Sequence, residues 1–153
     1  MKLLKYIVFF LILNFGGLYI GNLLMNDGPQ TYWYFNLNKA PWTPPGWVFG
    51  VAWTLIMICF STYLGYLFLK TDDIKLKIAF ALQFLLNVSW NYLFFNQHFV
   101  TLGLIVISAL TVVIFAFFFS NYKRLKNISF LLLPYMVWLL IATSLNAYIL
   151  FNN

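Results

Sequence analysis

The chain has 153 residues, of which 63% are hydrophobic, 22% are aromatic and only 8% are charged. Soluble domains carry about 25% charged residues, so nine basic and three acidic side chains would cover a water-soluble globule of this size poorly. The formal net charge of +6 lies in short clusters between apolar runs, which argues against a nucleic-acid-binding face. The single cysteine, Cys59, excludes an internal disulfide.

Five apolar runs follow one another along the chain. Each is long enough for a helix to cross a hydrocarbon core of roughly 30 Å, which takes about 20 residues, and none alternates with the period of two typical of strands. The sequence therefore predicts an all-α integral membrane protein, with one domain over residues 1–153 and a bundle of five transmembrane helices. The predicted helices lie at about 5–25, 46–69, 77–96, 100–121 and 128–151.

The first apolar run begins like a signal peptide, with Lys2 and Lys5 before it. No small-x-small cleavage pattern closes the run, so we expect an uncleaved first transmembrane helix. Gly17 and Gly21 stand four residues apart in this helix, a spacing that lets another helix approach closely in lipid. The pair could serve packing within the bundle or a homodimer, and both alternatives remain open.

Residues 31–54, which run from the segment after the first helix into the start of the second, are rich in tryptophan and proline. The prolines lack amide hydrogens and disfavour helix in the residue before them, so we expect a long loop that covers one end of the bundle. The tryptophans of the loop could form an aromatic belt at the membrane surface or one half of a pocket for a flat hydrophobic molecule. These tryptophans are Trp33, Trp42 and Trp47.

The basic residues divide unequally between the two ends of the predicted bundle. When five helices are threaded up and down, eight basic residues fall at one end and only Lys39 falls at the other. The positive-inside rule then places the N-terminus in the cytoplasm, and the C-terminus and the Trp-rich loop outside. The eight residues are Lys2, Lys5, Lys70, Lys75, Lys77, Lys123, Arg124 and Lys126.

The sequence offers little catalytic machinery of the usual kinds. The three acids, Asp27, Asp72 and Asp73, fall in predicted loops, which argues against a proton relay, a carboxylate pair or a metal site within the membrane. The one histidine, His98, lies at the predicted turn between the third and fourth helices, where it could be solvated or could ligate haem. We expect no metal site and no obligatory cofactor.

Aromatic and amide side chains share faces on three of the predicted helices. Because polar side chains in lipid tend to point into the bundle, we expect the asparagines on these faces to lie inside, with tryptophans near them. The asparagines could orient a ligand or could bond one helix to another. The faces are Gly46, Gly50, Trp53 and Met57 on the second helix, Asn87, Trp90, Asn91 and Phe94 on the third, and Tyr135, Trp138, Ala142 and Leu145, with Asn146 beside them, on the fifth.

Three motifs in sequence order carry a resemblance to a known family. The first is Trp33-Tyr34, then Leu37-x-Lys39-x-x-Trp42-x-Pro44-Pro45-x-Trp47, then Gly50 and Trp53. The second is Gln83, Asn87-x-x-Trp90 and Phe94-Phe95, and the third is Pro134-Tyr135-x-x-Trp138 with Ala142-Thr143-x-Leu145-Asn146. Across essentially the whole chain, the sequence resembles the family of the translocator protein and the bacterial tryptophan-rich sensory proteins.

The resemblance implies a five-helix bundle, often a homodimer, with a ligand pocket under the first loop. Members of that family bind porphyrins such as protoporphyrin IX, and isoquinoline carboxamide and benzodiazepine drugs, and the animal members bind cholesterol. After Tyr148 this chain lacks the basic residue of the proposed sterol pattern, so we do not expect cholesterol binding. The ligand-binding positions that the resemblance implies are Tyr34, Trp42, Trp53, Asn87, Trp90, Phe94, Tyr135, Trp138 and Ala142, to which the face of the fifth helix adds Asn146.

Three functions follow from these observations. The first is a membrane receptor or sensor for porphyrins and similar flat lipophiles, involved in tetrapyrrole handling or stress signalling. The alternative is an enzyme, because some bacterial members are reported to degrade protoporphyrin IX in light, with two tryptophans that correspond to Trp53 and Trp138. A transporter is the weakest candidate, since the chain shows no inverted repeat and no coupling-ion ligands in the membrane.

Overall fold

The computed structural model describes residues 1–153, and all of its regular elements are helices, which confirms the predicted all-α class. Short 3₁₀ helices at Gly28–Gln30 and Lys126–Leu132 and a π-helical turn at Tyr92–Asn96 join the longer elements. The α-helices are α1 (Lys2–Leu24), α2 (Tyr32–Phe35), α3 (Gly46–Lys70), α4 (Ile74–Asn91), α5 (Val100–Leu125) and α6 (Leu133–Asn152).

Four helical stretches are long and apolar enough to cross a membrane. The last of them spans 53 residues and contains both α5 and α6, which pack against each other. Large apolar side chains are exposed around the bundle, among them Ile12, Leu85, Val112 and Phe119. Such a surface is suited to lipid tails rather than to water, and the chain is an integral multi-pass membrane protein.

The long helices form a closed ring, and their order around the ring differs from their order in the chain. Helix α1 packs between α3 and α4, α4 packs against α5, α5 against α6, and α6 returns to α3. Consecutive helices α3 and α4 therefore lie on opposite sides of α1. The inner faces of α3, α4 and α6 line the interior of the ring.

Glycines allow α1 to approach both of its neighbours closely. A Cβ atom on Gly65 of α3 would lie 2.5 Å from Cγ1 of Ile7 and 3.2 Å from its backbone nitrogen. On the other side, a Cβ on Gly17 would lie 2.6 Å from the Phe84 ring of α4, and Gly21 packs against Asn91 in the same way. The Gly17 and Gly21 face of α1 is thus used for packing within one chain, while a homodimer stays a prediction.

Two irregular segments define the end of the bundle where the first loop lies. Helix α3 begins at Gly46, directly after the proline pair, with Pro45 in an extended conformation as its N-cap. Helix α4 ends in the π-helical turn, which buries Phe94 and Phe95 and is followed by His98 in the left-handed conformation at φ 59°. π-helical turns inside helices often occur at functional sites.

The first loop, residues 25–45, is held in place by local hydrogen bonds. Thr31 Oγ1 accepts a hydrogen bond from the Tyr34 backbone N–H at 3.3 Å and caps the start of α2. Lys39 Nζ donates to the backbone carbonyls of Tyr34, at 2.7 Å, and Phe35, at 3.0 Å, at the other end of this short helix. A cation at a helix C-terminus also interacts favourably with the helix dipole. These bonds secure both ends of α2 within the loop.

Candidate functional site

Tyr135 on α6 is the point at which three helices meet inside the ring. The residue is fully buried, and its phenol oxygen accepts a hydrogen bond of 2.8 Å from Gln83 Nε2 on α4. On α3, the Trp53 ring meets the Tyr135 ring edge to face, with centroids 5.8 Å apart, and Phe60 does the same at 5.3 Å. The structure thus brings Trp53 and Tyr135, two of the predicted site residues, into contact.

Trp138 lies one turn further along α6 on the same side as Tyr135. Its indole is 6% exposed and meets the Phe49 ring of α3 edge to face at 5.1 Å. The indole N–H of Trp138 has no hydrogen-bond partner, and neither has Gln83 Oε1 on the facing helix. Buried polar atoms are nearly always paired in folded proteins, so this unpaired donor and this unpaired acceptor need an explanation.

Trp90 belongs to a second aromatic group at the C-terminal end of α4. Its ring lies parallel to the Phe94 ring at 5.2 Å, with an angle of 10° between the planes. Trp90 Nε1 donates to Asn146 Oδ1 at 3.1 Å, and Asn146 Nδ2 donates to the Val100 carbonyl at 3.1 Å. Asn146 therefore connects α4, α6 and the start of α5, which favours the helix-bonding alternative for this asparagine.

The remaining interior positions also face into the ring. Asn87 is buried on α4, and its backbone carbonyl accepts a hydrogen bond from Asn91 Nδ2 at 3.2 Å. Ala142 is buried on α6, and Met57 is buried on α3. Gly46 and Gly50, at the start of α3, are exposed, so the α3 face that holds Trp53 turns outward at its loop end.

The first loop covers the π-helical turn through its tryptophan and tyrosine rings. The Trp33 ring lies flat against the His98 imidazole, with centroids 4.0 Å apart, and meets Phe94 edge to face at 5.7 Å. Tyr34 packs against Phe95 at 5.4 Å, and burial raises the pKa of the Tyr34 phenol above its ordinary value of about 10. His98 thus has an aromatic packing partner in the loop.

The far end of the same loop is attached to α6. Trp42 Nε1 donates to Ser144 Oγ at 3.1 Å, and its ring meets Tyr148 edge to face at 5.4 Å. The Asn38 backbone N–H donates to Asn153 Oδ1 at 2.8 Å. Anchored to the end of α4 and to α6, the loop bridges the two helices that carry Trp90 and Trp138.

Trp47 differs from the other tryptophans of the predicted site. Its side chain is 71% exposed at the start of α3, where a belt position at the membrane surface is the ordinary role of tryptophan. Trp42 is also more than half exposed but is anchored to Ser144. The structure therefore separates Trp47 from the group that faces the ring interior.

The sequence motifs do not include Phe49, which contacts Trp138 of the interior group, or Ser144, which anchors the loop through Trp42. Phe49 stands four residues before Trp53, and that helical spacing could have placed it on the same face. Ser144 is a hydroxyl within an apolar helix, and such side chains usually find a partner inside the bundle.

Comparison with known proteins places this arrangement in a family. The model of the TspO/MBR family matches residues 9–151. The tryptophan-rich protein TspO of Archaeoglobus fulgidus is 35% identical over 130 residues, 84% of each chain. The tryptophan-rich sensory protein of Cereibacter sphaeroides is 29% identical over 74% of this chain and 72% of its own, and the human translocator protein is 27% identical over 85% of this chain and 79% of its own. By its motifs, its apolar helices and its match over nearly the whole length, this chain belongs to the TspO/MBR family.

Proposed function

We propose that the chain is a membrane receptor or sensor that binds a porphyrin such as protoporphyrin IX, or a similar flat lipophile, between α3, α4 and α6 under the first loop. The observation that carries this proposal is that two of the three buried polar side-chain atoms without a hydrogen-bond partner, Trp138 Nε1–H and Gln83 Oε1, lie on two of these helices, while the third, Ser129 Oγ, lies outside them. An unsatisfied buried donor or acceptor costs about 1–3 kcal/mol. A ligand that accepts from one atom and donates to the other would recover that cost.

The surrounding side chains suit a planar guest. Trp53, Trp90 and Trp138 come from three different helices, and aromatic faces supply large apolar contact area with a preference for stacked or edge-to-face partners. Ligand pockets combine such a lining with a few well-placed polar groups, and Gln83 and Trp138 would supply the polar groups of the proposed site. Phe94, Tyr135 and Trp138 are buried by their neighbours, so a guest enters by moving these rings apart.

The family relatives support the same class of function. One relative is named a tryptophan-rich sensory protein and another a translocator protein. We extend the sensory role to this chain, in tetrapyrrole handling or stress signalling. The porphyrin acts as a ligand here and not as a resident cofactor.

The proposed membrane arrangement has five spans in one domain: α1, α3, α4, α5 and α6. A single helix of the length of Val100–Asn152 would extend about 80 Å at 1.5 Å per residue, far more than a bilayer core. The chain instead reverses at the 3₁₀ segment, where Lys126 has a φ of 48°. With five spans, the basic end lies in the cytoplasm and the Trp/Pro-rich loop lies outside.

A titration in the dark tests the binding proposal. Protoporphyrin IX added to the purified protein in detergent is expected to quench tryptophan fluorescence to saturation. Trp138→Phe removes the unpaired donor, and loss of one hydrogen bond of about 1.4 kcal/mol weakens binding about tenfold. The matched control Trp47→Phe alters an exposed indole and is expected to leave the dissociation constant within about twofold. Quenching that never saturates would overturn the proposal.

The enzyme alternative has one observation in its favour. Trp53 and Trp138, the two positions that would carry light-driven chemistry, both belong to the interior group around Tyr135 and Phe49. If an illuminated porphyrin passes oxidising equivalents to these indoles, loss of the porphyrin absorbance band should be slower in Trp53→Phe and Trp138→Phe proteins. Loss at the same rate in both variants would remove the protein from the reaction.

A further inference from the structure

The basic residues gather at the end of the bundle opposite the first loop. Helix α1 begins there, α3 ends there, and the start of α4 meets the end of α5. Lys70 Nζ, at the end of α3, donates to the Arg124 backbone carbonyl at 3.1 Å, which ties two of these helix ends together. This end of the protein therefore lies where lipid headgroups meet water.

A cleft of about 410 Å³ opens between α4 and α5 at this basic end. Its apolar lining is formed by Leu76, Ala79 and Leu82 on α4 and by Val113, Ala116 and Phe117 on α5. One alanine on each helix, Ala79 and Ala116, leaves room for a hydrocarbon chain between the larger side chains. The cleft faces outward from the ring, so it is separate from the interior aromatic site.

The mouth of the cleft is polar. Lys75 enters from α4, and Ser120, Asn121 and Arg124 line the α5 side. Asn121 is 3% exposed, its Nδ2 donates to the Phe117 carbonyl at 3.0 Å, and its Oδ1 receives the Arg124 guanidinium at 3.4 Å. A buried amide thus holds the arginine at the mouth.

The acidic residues beside this mouth already have partners. Asp73 Oδ1 accepts the backbone N–H of Lys75 at 2.9 Å as the N-cap of α4, and Asp72 pairs with Lys77 in the one salt bridge of the chain. The Lys75 ammonium and the Arg124 guanidinium therefore have no acidic side chain bound to them. With Asp73 at the same mouth, two positive charges and one negative charge leave a net charge of +1.

We propose that this cleft binds an anionic phospholipid with a single net negative charge, of the phosphatidylglycerol type. The headgroup phosphate lies between Lys75 and Arg124, and the Ser120 hydroxyl donates to one of its oxygens. One acyl chain lies between Ala79 and Ala116. Basic pockets between membrane helices are the usual sites for acidic headgroups, and guanidinium–phosphate hydrogen bonds are among the stronger ones in proteins.

The test measures lipid binding to the purified full chain by native mass spectrometry, with phosphatidylglycerol and phosphatidylcholine of the same acyl chains. The wild type is expected to bind phosphatidylglycerol at least tenfold more tightly. Lys75→Gln with Arg124→Gln is expected to abolish that preference. The control pair, Lys123→Gln with Lys126→Gln, removes the same charge at the same end outside the cleft and is expected to keep it.

Two further arms separate this proposal from its rivals. Ala116→Phe fills the cleft and is expected to weaken both lipids, while circular dichroism checks that each variant stays folded. If the glutamine double variant does not fold, Lys75→Arg with Arg124→Lys replaces it in the test. This double variant keeps both charges and is expected to retain the preference for phosphatidylglycerol. Equal affinity for the two lipids, an equal loss in the control pair, or displacement of the lipid by glycerol phosphate at equal concentration would each overturn the proposal.

Discussion

Trp138, whose indole N–H has no partner, and Trp90, whose indole N–H donates to Asn146, can be compared by the same substitution. Trp138→Phe removes a buried donor without a partner, which recovers about 1–3 kcal/mol. The ring is smaller by roughly 40 Å³, and the void costs about 1 kcal/mol at about 24 cal/mol per Å³. The free energy of unfolding without ligand is therefore expected to stay within about 1 kcal/mol of the wild type or to rise.

Trp90→Phe makes the same chemical change where the donor is paired. It breaks the hydrogen bond of 3.1 Å to Asn146 and leaves the amide oxygen without a partner in a buried position, in addition to the same void. Interhelical hydrogen bonds in membranes average about 0.6 kcal/mol, and Trp90 is half-buried, which limits the cost of the unpaired oxygen and of the void. Together these contributions should lower the free energy of unfolding by about 2 kcal/mol.

Thermal unfolding in detergent, followed by circular dichroism in the absence of porphyrin, distinguishes the two variants. At roughly 2–4 °C per kcal/mol for a chain of this size, Trp90→Phe should melt about 4–8 °C below the wild type. Trp138→Phe should melt near the wild type although it binds porphyrin more weakly. The reasoning would be refuted if Trp138→Phe melted at or below the temperature of Trp90→Phe.

Two further predictions concern the fold and the loop. Gly65→Ala places a methyl group 2.5 Å from Cγ1 of Ile7 and 3.2 Å from its backbone nitrogen, and this overpacking, at about 1–3 kcal/mol, should lower the melting temperature by several degrees. Gly50→Ala in the same helix meets nothing within 4 Å and should leave the melting temperature unchanged or raise it. Equal melting temperatures of the two variants would contradict the close approach of α1 and α3. Burial raises the pKa of Tyr34, so the stability that the neutral phenol gives the loop is complete below about pH 10 and is lost as the pH rises through the pKa of the folded state. Proteolysis of the loop should therefore accelerate in that alkaline range in the wild type, and less in Tyr34→Phe.

The sequence predicts the class of the fold because apolar run length is a local property. Helix α3 begins at Gly46 because the two prolines before it cannot continue a helix, and this is visible in the chain itself. The inward burial of Asn87 and Asn146 follows from the cost of amides in lipid. These predictions rest on residues taken one at a time or at helical spacing.

Other features of the structure depend on which helices become neighbours. Nothing local shows that α1 separates α3 from α4, and this order decides that Gly17 packs against Phe84 within the chain. The parallel contact of Trp33 with His98 joins residues 65 positions apart and depends on the π-helical turn, which no sequence pattern announced. Hydrogen-bond pairing is equally non-local, so the sequence could not reveal that Gln83 Oε1 lacks a partner.

The central claim is that a planar guest binds inside the ring and pairs with the Trp138 indole N–H. The most direct measurement is the ¹⁵N–¹H spectrum of protein labelled at its tryptophan indoles, recorded during a protoporphyrin IX titration in the dark and assigned with Trp138→Phe. The account predicts that the Trp138 indole resonance shifts to saturation and that its hydrogen exchange slows, while the exposed Trp47 resonance stays in place. Saturable binding that moves the Trp47 resonance and leaves Trp138 unchanged would contradict it.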